Sequence, residues 1–203
     1  LLLQIEQSNP SLNEKFNISE IIETIQQIDT SIQKGLSRTK EIVSALSAYS
    51  RNQNENKILF DLREAINTSL IILNPVIKDR IKVTKNLDEL PLMYCHPGKI
   101  EQVFVNIISN AIDSISHKGE ITISAMNNKE QRCINVSFKD TGCGIPESIK
   151  SLIFNPFFTT KEIGKGTGLG LYISHGILKN HNATINVISE IGKGSEFIIS
   201  FQL

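Results

Sequence analysis

Apolar side chains recur along residues 18–49 at steps of three and four. They are Ile18, Ile21, Ile25, Ile28, Ile32, Ile42, Leu46 and Tyr49. This spacing predicts the a/d seam of a helix that packs against another helix, with Gly35 and Thr39 weakening the seam midway. A helix of about 33 residues is roughly 50 Å long, more than a small globular core can cover. We therefore favour a dimerising stalk over the alternative, a helix packed along its own domain.

Residues 51–56 contain no apolar side chain and separate this seam from a mixed pattern of strands and helices. Strands are predicted at residues 57–60, 81–85, 91–95, 120–126, 133–139, 183–189 and 195–201. Helices are predicted at residues 61–73, 97–115 and 168–179, the first capped by Asp61 and ended before Pro75. Asn127 and Asn128 are expected to form a turn between strands. This order indicates a two-layer α/β sandwich with helices on one face of a largely antiparallel sheet, preceded by the helical stalk.

Charge and composition narrow the possible partners. The chain has 21 Lys and Arg residues against 21 Asp and Glu residues, so it lacks the net positive charge that attracts nucleic acids. No run of about 18 apolar residues occurs, and we expect no membrane contact by this part of the protein. Cys95, Cys133 and Cys143 form no Cys-x-x-Cys pair, which fits a cytoplasmic environment. Because the chain begins with Leu1, we expect a longer protein that can include a sensor or membrane segment.

Three polar residues interrupt an otherwise apolar helix. Asn106, Asn110 and Asp113 are spaced by four and three residues, so they share one face of the helix predicted at residues 97–115. Burying such a stripe is unfavourable unless a ligand needs it. An amide oxygen is a suitable ligand for Mg²⁺, which completes its coordination with water and substrate phosphates. A polar edge that faces solvent is the alternative interpretation of this stripe taken alone.

Residues 140–145, DTGCGI, combine a carboxylate with two glycines. A buried carboxylate at a strand end can accept a hydrogen bond from the exocyclic amine of adenine, whereas guanine presents a carbonyl group there. Gly142 and Gly144 allow the backbone to approach the base closely. The segment thus favours ATP over GTP as a ligand, although Asp-x-Gly-x-Gly standing alone is more often a turn.

Two further segments lie around the predicted start of the last helix. Residues 154–161, FNPFFTTK, concentrate aromatic side chains beside a proline and suggest the hinge of a lid over a ligand. Residues 164–171, GKGTGLGL, supply glycines and free backbone N–H groups at a helix start, which form a cradle for phosphates. Lys161 and Lys165 add positive charge there, or are solvated surface lysines. Neither a Walker A loop nor a dinucleotide-binding fingerprint occurs.

In this order the four segments resemble the N, G1, F and G2 boxes of the histidine-kinase catalytic domain, in the GHKL ATPase superfamily. Residues 192–197, GKGSEF, resemble its terminal glycine motif. The resemblance implies a sandwich of three main helices on a mixed sheet, with ATP beneath a mobile lid. Residues 1–56 resemble the second helix of the family's dimerisation and phosphotransfer hairpin. The chain is thereby divided into a helical stalk, residues 1–56, and a catalytic ATP-binding domain, residues 57–203.

The resemblance also implies roles for individual residues. Asn110 would hold Mg²⁺, with Asn106 and Asp113 beside the phosphates. Asp140 would accept a hydrogen bond from the adenine amine, and Ser195 would support it through water. The other residues expected around ATP are Gly142, Gly144, Ile145, Phe157, Lys161, Gly166, Thr167, Gly168, Leu169, Gly170 and Leu171.

The implied activity is that of an autokinase, in which the γ-phosphoryl group of ATP passes to a histidine. Residues 1–56 contain no histidine, so we assign no phosphorylated residue and expect the acceptor outside this chain. The histidines present are interpreted as ordinary surface or loop residues: His96, His117, His175 and His181. The implied partners are ATP, the phosphoacceptor hairpin, a response regulator and a second copy of the chain through the stalk.

Two alternative functions stay open. ATP-hydrolysing clamps such as gyrase B, MutL and Hsp90 share the fold that the resemblance implies. They carry a water-activating Glu where this chain has Asn106, and an amide cannot act as a general base. A nucleotide-sensing or dimerisation module without enzymatic activity is the second alternative, because the acceptor histidine is missing.

Overall fold

The computed structural model describes residues 17–50, 56–162 and 166–203. Its helices are α1 (Ile18–Ser50), α2 (Leu62–Ile77), α3 (Pro97–Ser114), α4 (Glu147–Lys150) and α5 (Gly170–Asn180). Its strands are β1 (Ile58–Phe60), β2 (Ile81–Leu87), β3 (Met93–Cys95), β4 (Gly119–Asn128), β5 (Cys133–Asp140), β6 (Ala183–Glu190) and β7 (Gly194–Gln202). The chain separates into two units, Leu1–Ser44 and Ala45–Leu203. The domain boundary between residues 56 and 57 stays a prediction.

Helix α1 spans 33 residues, as the apolar repeat predicts. Four isoleucines of the predicted seam are between 45% and 55% exposed: Ile21, Ile25, Ile28 and Ile32. A row of half-exposed isoleucines is consistent with a helix face that another helix covers. The side chains of Ile18, Ile42, Leu46 and Tyr49 lie outside the described residues. Among the described helices, none is both long and apolar enough to cross a membrane.

The second unit is built on a five-stranded sheet with the strand order β2-β4-β5-β7-β6. β2 pairs with β4 in parallel, and the other three pairs are antiparallel. β1 and β3 form a separate two-stranded antiparallel sheet. Of the three long helices of this unit, α3 packs against both α2 and α5, and all three contact the five-stranded sheet. This architecture confirms the predicted α/β sandwich with a mixed, largely antiparallel sheet.

The core lies between α3 and the inner face of the sheet. α3 buries seven apolar side chains: Ile100, Val103, Phe104, Ile107, Ile108, Ala111 and Ile112. The ring of Phe104 lies 5.1 Å from that of Phe138 on β5 and 6.5 Å from that of Phe201 on β7, measured between ring centroids. Each large apolar side chain buried in this way contributes about 1.5–3 kcal/mol. The packing therefore fixes the rotation of α3 about its axis.

The end of α2 differs from the prediction. The helix was expected to stop before Pro75, but it continues to Ile77, so this prediction is wrong. A proline in the last turn removes one intrahelical hydrogen bond and leaves the rest of the turn intact. The N–H of Lys78 still donates to the carbonyl oxygen of Asn74 at 3.0 Å, which closes the helix beyond the proline.

Three further details differ from the prediction. Asn127 and Asn128, expected to form a turn, belong to β4. The turn follows them, because the side-chain oxygen of Asn128 accepts a hydrogen bond from the N–H of Gln131 at 3.0 Å and ends the strand there. The short helix α4 lies between β5 and α5, where no element was predicted. The last helix begins at Gly170, two residues later than expected.

Two histidines connect the start of α3 to the end of α5. The backbone N–H of His96 donates to His181 Nε2 at 3.1 Å, so Nε2 carries no proton. The proton is therefore on Nδ1, which donates to the carbonyl oxygen of Ile177 at 2.8 Å. Burial lowers the pKa of His181, and the positive charge of Lys57 and the neighbouring His96 act in the same direction. The interpretation of His181 as an ordinary surface or loop residue is wrong, because it is a buried, neutral link between two helices.

This link predicts that the second unit loses stability as the pH falls. Because the pKa of His181 lies below its ordinary value of 6.5 in the folded chain, the unfolded chain takes up the proton first as the pH falls through 6.5, and the free energy of unfolding decreases. We expect His181→Gln, whose amide oxygen can accept the same N–H, to weaken this dependence. Urea unfolding at about pH 7.5 and about pH 5.5 measures it.

The exposed His117 provides the control. His117→Gln should keep the pH dependence of the unmodified chain. If His181→Gln and the unmodified chain lost the same stability between the two pH values, His181 would not be the group that titrates.

Candidate functional site

Asp140 ends β5 as a residue that is 2% exposed. Its Oδ1 accepts hydrogen bonds from the N–H of Gly142 (2.7 Å), the hydroxyl of Ser114 (3.2 Å) and the N–H of Ser195 (3.3 Å). Burial raises the pKa of Asp140, and these hydrogen bonds oppose the rise. Among the described residues, Oδ1 is the acceptor of all three of these hydrogen bonds. Oδ2 is therefore the oxygen with which the carboxylate can accept from a ligand.

The two glycines after Asp140 allow the backbone to lie close to Ser114 and Glu190. A Cβ atom on Gly142 would lie 1.9 Å from Ser114 Oγ, nearer than two such atoms can approach. Gly144 has a φ of 74°, and a Cβ atom there would lie 2.1 Å from the carbonyl oxygen of Glu190. Both glycines thus hold the loop after β5 against the end of α3 and against β6.

A pair of serines fastens this loop to the last two strands. Ser189 Oγ accepts a hydrogen bond from the N–H of Ile145 (2.7 Å), donates to the carbonyl oxygen of Gly194 (2.9 Å), and lies 2.9 Å from Ser195 Oγ. Ser195 was predicted to support Asp140 through water. Its main-chain N–H contacts Asp140 directly, and its hydroxyl contacts Ser189.

A lysine contacts two residues of the polar stripe near the C-terminal end of α3. Lys161 Nζ lies 2.5 Å from Asp113 Oδ2 and 3.3 Å from Asn110 Oδ1. The side chains of Lys161 and Asp113 are 34% and 48% exposed, so the ion pair lies at the protein surface. The spacing of the stripe correctly predicts that Asn110 and Asp113 share a face, and the structure places Lys161 in contact with both.

The third residue of the stripe binds α5. Asn106 Nδ2 donates to the carbonyl oxygen of Gly170 at 3.2 Å and to Ser174 Oγ at 3.3 Å. Ser174 Oγ in turn donates to the carbonyl oxygen of Gly170 at 2.9 Å. Asn106 therefore holds the first turn of α5 against the middle of α3.

The residues before α5 pack closely on residues 157–161. A Cβ atom on Gly168, whose φ is 66°, would lie 2.4 Å from the carbonyl carbon of Phe157. A Cβ atom on Gly166 would lie 3.0 Å from Thr159 Oγ1 and 3.1 Å from Lys161 Cδ. The approach to α5 and the segment that carries the lysine are thus in contact.

The predicted ATP-contacting residues around the start of α5 differ in their exposure. The ring of Phe157 is 63% exposed, and Leu169 is buried in the core. Thr167 and Leu171 are half-buried beside the start of α5. Lys165, to which positive charge near the phosphates was assigned, lies outside the described residues.

Ser114, Ser174 and Ser189 belong to the site but were not predicted. Ser114 had a signal, because it follows Asn110 by four residues and so continues the polar stripe along α3. Ser174 and Ser189 had none, since the contacts that bring them to the site come from other elements. The hydrogen bond between Asn106 and Ser174, for example, joins residues 68 positions apart.

Helix α3 carries the contacts of the site. Its last residue, Ser114, contacts Asp140, and Asn106, eight positions earlier, contacts α5. Lys161 contacts Asn110 and Asp113 between them. A buried acceptor and a surface cation with an amide oxygen can bind an amine and an anion on the same ligand.

Comparison with known proteins agrees with this geometry. Residues 95–203 match the family described as histidine kinase-, DNA gyrase B- and HSP90-like ATPase, and the matched range contains every residue of the site. The chain belongs to this family. Membership confirms the resemblance to the histidine-kinase catalytic domain, and with it the GHKL fold.

Sensor kinases are among the relatives of this GHKL domain. The chain is 34% identical over 183 residues to the sensor kinase CckA of Brucella abortus (strain 2308), a match that covers 83% of this chain and 19% of that protein. It is 34% identical over 176 residues to the sensor histidine kinase ZraS of Escherichia coli (strain K12), covering 85% of this chain and 37% of that protein. The chain is thus a histidine-kinase ATPase domain homologous to sensor kinases, and it spans less than two fifths of either relative.

Solved structures show the same GHKL fold. The catalytic domain of the histidine kinase ThkA has 30% sequence identity and a TM-score of 0.65, covering 73% of this chain and 96% of that domain. Full-length ShkA in complex with AMPPNP has 20% identity and a TM-score of 0.77, covering 90% of this chain and 38% of that protein. At 20% identity, the second similarity shows the fold alone.

The serine pair predicts a stability effect that is confined to one hydroxyl group. Ser189→Ala would leave the half-buried N–H of Ile145 without its acceptor, and we expect the free energy of unfolding to fall by about 1–2 kcal/mol. Thr184→Ala on the exposed face of the same strand should change it by about 0.5 kcal/mol or less. Urea titration of both variants measures the difference, and equal losses would contradict the role of Ser189.

Proposed function

We propose that this chain binds Mg²⁺-ATP along α3 and donates the γ-phosphoryl group to a histidine outside the chain, as the catalytic part of a two-component sensor kinase. The observation that carries the proposal is a buried carboxylate, Asp140, that contacts the last residue of α3, together with a surface cation, Lys161, that contacts Asn110 and Asp113 on the same helix. Membership of an ATPase family supports the choice of ATP. The relatives, which are sensor kinases, support phosphotransfer.

The adenine would bind at the end of β5. Asp140 Oδ2 would accept a hydrogen bond from the exocyclic amine, while the contacts to Oδ1 keep the carboxylate in place. Guanine presents a carbonyl oxygen at this position, which a carboxylate repels, so ATP is preferred to GTP. We propose that the base is also contacted by Gly142, Gly144 and Ile145.

The oxygen atoms that Asn110 and Asp113 present beside Lys161 fit a magnesium ion. Asn110 Oδ1 and Asp113 Oδ2 both contact one cation, the ammonium of Lys161, so this position favours positive charge. Within residues 17–50, 56–162 and 166–203, no three His, Cys, Asp or Glu side chains come together to hold a metal. A single amide ligand, Asn110, suits Mg²⁺, which takes its other ligands from water and phosphates. When bound, the ion would neutralise negative charge on the phosphates.

Positioning by the chain's own groups would accelerate the transfer. The first turn of α5 has no side-chain cap, so its N–H groups can donate to the phosphates. The acceptor nitrogen would attack the γ-phosphorus, the bond to the bridging oxygen would break, and ADP would leave. The remaining proposed contacts to ATP are Phe157, Lys161, Gly166, Thr167, Gly168, Leu169, Gly170 and Leu171.

The environment of Asn106 favours transfer over hydrolysis. An amide cannot remove a proton from water, and its Nδ2 is already bonded to the carbonyl oxygen of Gly170 and to Ser174 Oγ. We propose that Asn106 holds α3 and α5 together beside the phosphates. A histidine, which is a nucleophile in its own right, needs no base of this kind.

The partners form part of the same proposal. The half-exposed isoleucines of α1 support a homodimer through the stalk, and the phosphoacceptor hairpin and a response regulator would complete the phosphorelay. The three cysteines are free thiols, which supports a reducing, cytoplasmic location for this portion.

Asp140→Asn tests the adenine assignment. Asparagine keeps an acceptor for the hydrogen bonds from the protein but places an amide in contact with the adenine amine, so we expect ATP to bind about tenfold or more weakly. The preference for ATP over GTP should also narrow, because the new N–H₂ can donate to guanine. Isothermal calorimetry measures both dissociation constants. Asp88→Asn, on the exposed surface, is the control, and an unchanged dissociation constant for Asp140→Asn would remove Asp140 from the site.

Asn110→Ala tests the magnesium assignment. Without the amide oxygen we expect phosphotransfer to a separately supplied phosphoacceptor hairpin to be lost, while nucleotide binding is partly kept through Asp140 and the phosphate contacts. Transfer is followed with radiolabelled ATP and binding by calorimetry. Asn86→Ala, an exposed residue of β2, is the control. Normal transfer by Asn110→Ala would refute the role of this residue.

A further inference from the structure

The ion pair between Lys161 and Asp113 places a negative charge beside Asn110, the proposed magnesium ligand. Asp113 Oδ2 lies 2.5 Å from the lysine ammonium, and Asp113 is one helical turn from Asn110. A carboxylate facing a triphosphate is repelled by it. Asp113 is therefore either a second ligand of the magnesium ion or a residue whose charge is cancelled by its lysine.

The surroundings of Lys161 favour the second role. The ammonium of Lys161 bridges Asp113 and Asn110. The main-chain N–H of Lys161 donates to Thr159 Oγ1 at 3.1 Å. Its aliphatic stem lies against Gly166, where a Cβ atom would approach Lys161 Cδ to 3.1 Å. The lysine is thus held at its backbone, along its stem and at its charged end.

We propose that Asp113 is a positioning residue that holds the Lys161 ammonium beside the phosphates and does not itself bind the nucleotide or the metal. This inference rests on the proposed function. The pair carries no net charge, so it can stand beside a magnesium ion without strong repulsion. The ammonium can then donate to a phosphate oxygen while one of its other N–H groups stays on Asp113.

A purely structural role would give a different result. An ion pair at the surface adds little to the stability of a fold, so its loss would leave nucleotide binding nearly unchanged. A positioning role makes the two residues depend on each other. Without the lysine, the carboxylate of Asp113 faces the phosphates uncompensated, and removing that carboxylate as well should restore part of the affinity.

The test is a double-mutant cycle on this chain with Mg²⁺-AMPPNP as the probe, using Lys161→Met, Asp113→Asn and the double variant. We expect Lys161→Met to raise the dissociation constant by about tenfold or more, and Asp113→Asn to raise it by less. The double variant should bind more tightly than Lys161→Met alone. Lys161→Arg, which keeps the charge, should stay close to the unmodified chain. Melting temperatures should stay within about 3 °C throughout.

Lys82→Met, which breaks the exposed ion pair between Lys82 and Glu120, is the matched control and should not affect binding. If Asp113 were a magnesium ligand, Asp113→Asn would weaken binding more than Lys161→Met, and the two effects would add. Either that result or an unchanged dissociation constant for Lys161→Met would overturn the inference. Failure of the unmodified chain to bind Mg²⁺-AMPPNP would instead overturn the proposed function.

Discussion

The packing of α3 against the inner face of the sheet is the constraint on which the rest of the structure depends. Seven apolar side chains of this helix are buried, and Phe104 contacts aromatic rings of both β5 and β7. A helix held along so broad an arc cannot rotate without exposing apolar surface to water. The neighbouring stripe of Asn106, Asn110 and Asp113 therefore has one position. The geometry of this polar stripe follows from hydrophobic packing.

The same helix connects two environments that differ physically. At its C-terminal end, Asp140 is buried and its carboxylate is held through one oxygen. A hydrogen bond made there is protected from water and selective for the group that donates it. Near the same end but at the protein surface, Lys161 and Asp113 are partly exposed, so charge acts there with weaker selectivity and stronger dependence on salt. Recognition of a base suits the first environment, and a hydrated metal with phosphates suits the second.

Patterns that act over a few residues were predicted well. Asp61 caps α2 through the N–H of Arg63, Pro97 opens α3, and the alternation of apolar residues located each strand of the five-stranded sheet. The errors lie where local rules conflict with tertiary packing. Pro75 stays inside α2 although a proline usually ends a helix, and the polar ring of His181 is buried because both of its nitrogens have main-chain partners.

The sequence by itself determined the fold class, the order of the motifs and the shared face of Asn106, Asn110 and Asp113, because helical periodicity and glycine spacing are local properties of the chain. The tertiary structure alone decided which distant groups meet. Asp140 accepts from Ser195, 55 positions away, and Lys161 pairs with Asp113 across 48 positions. Such contacts depend on how the sheet positions its strand ends beside α3. The free energy that fixes this arrangement comes from the buried apolar core. The apolar pattern of the sequence therefore does not reveal which polar residues the core brings together.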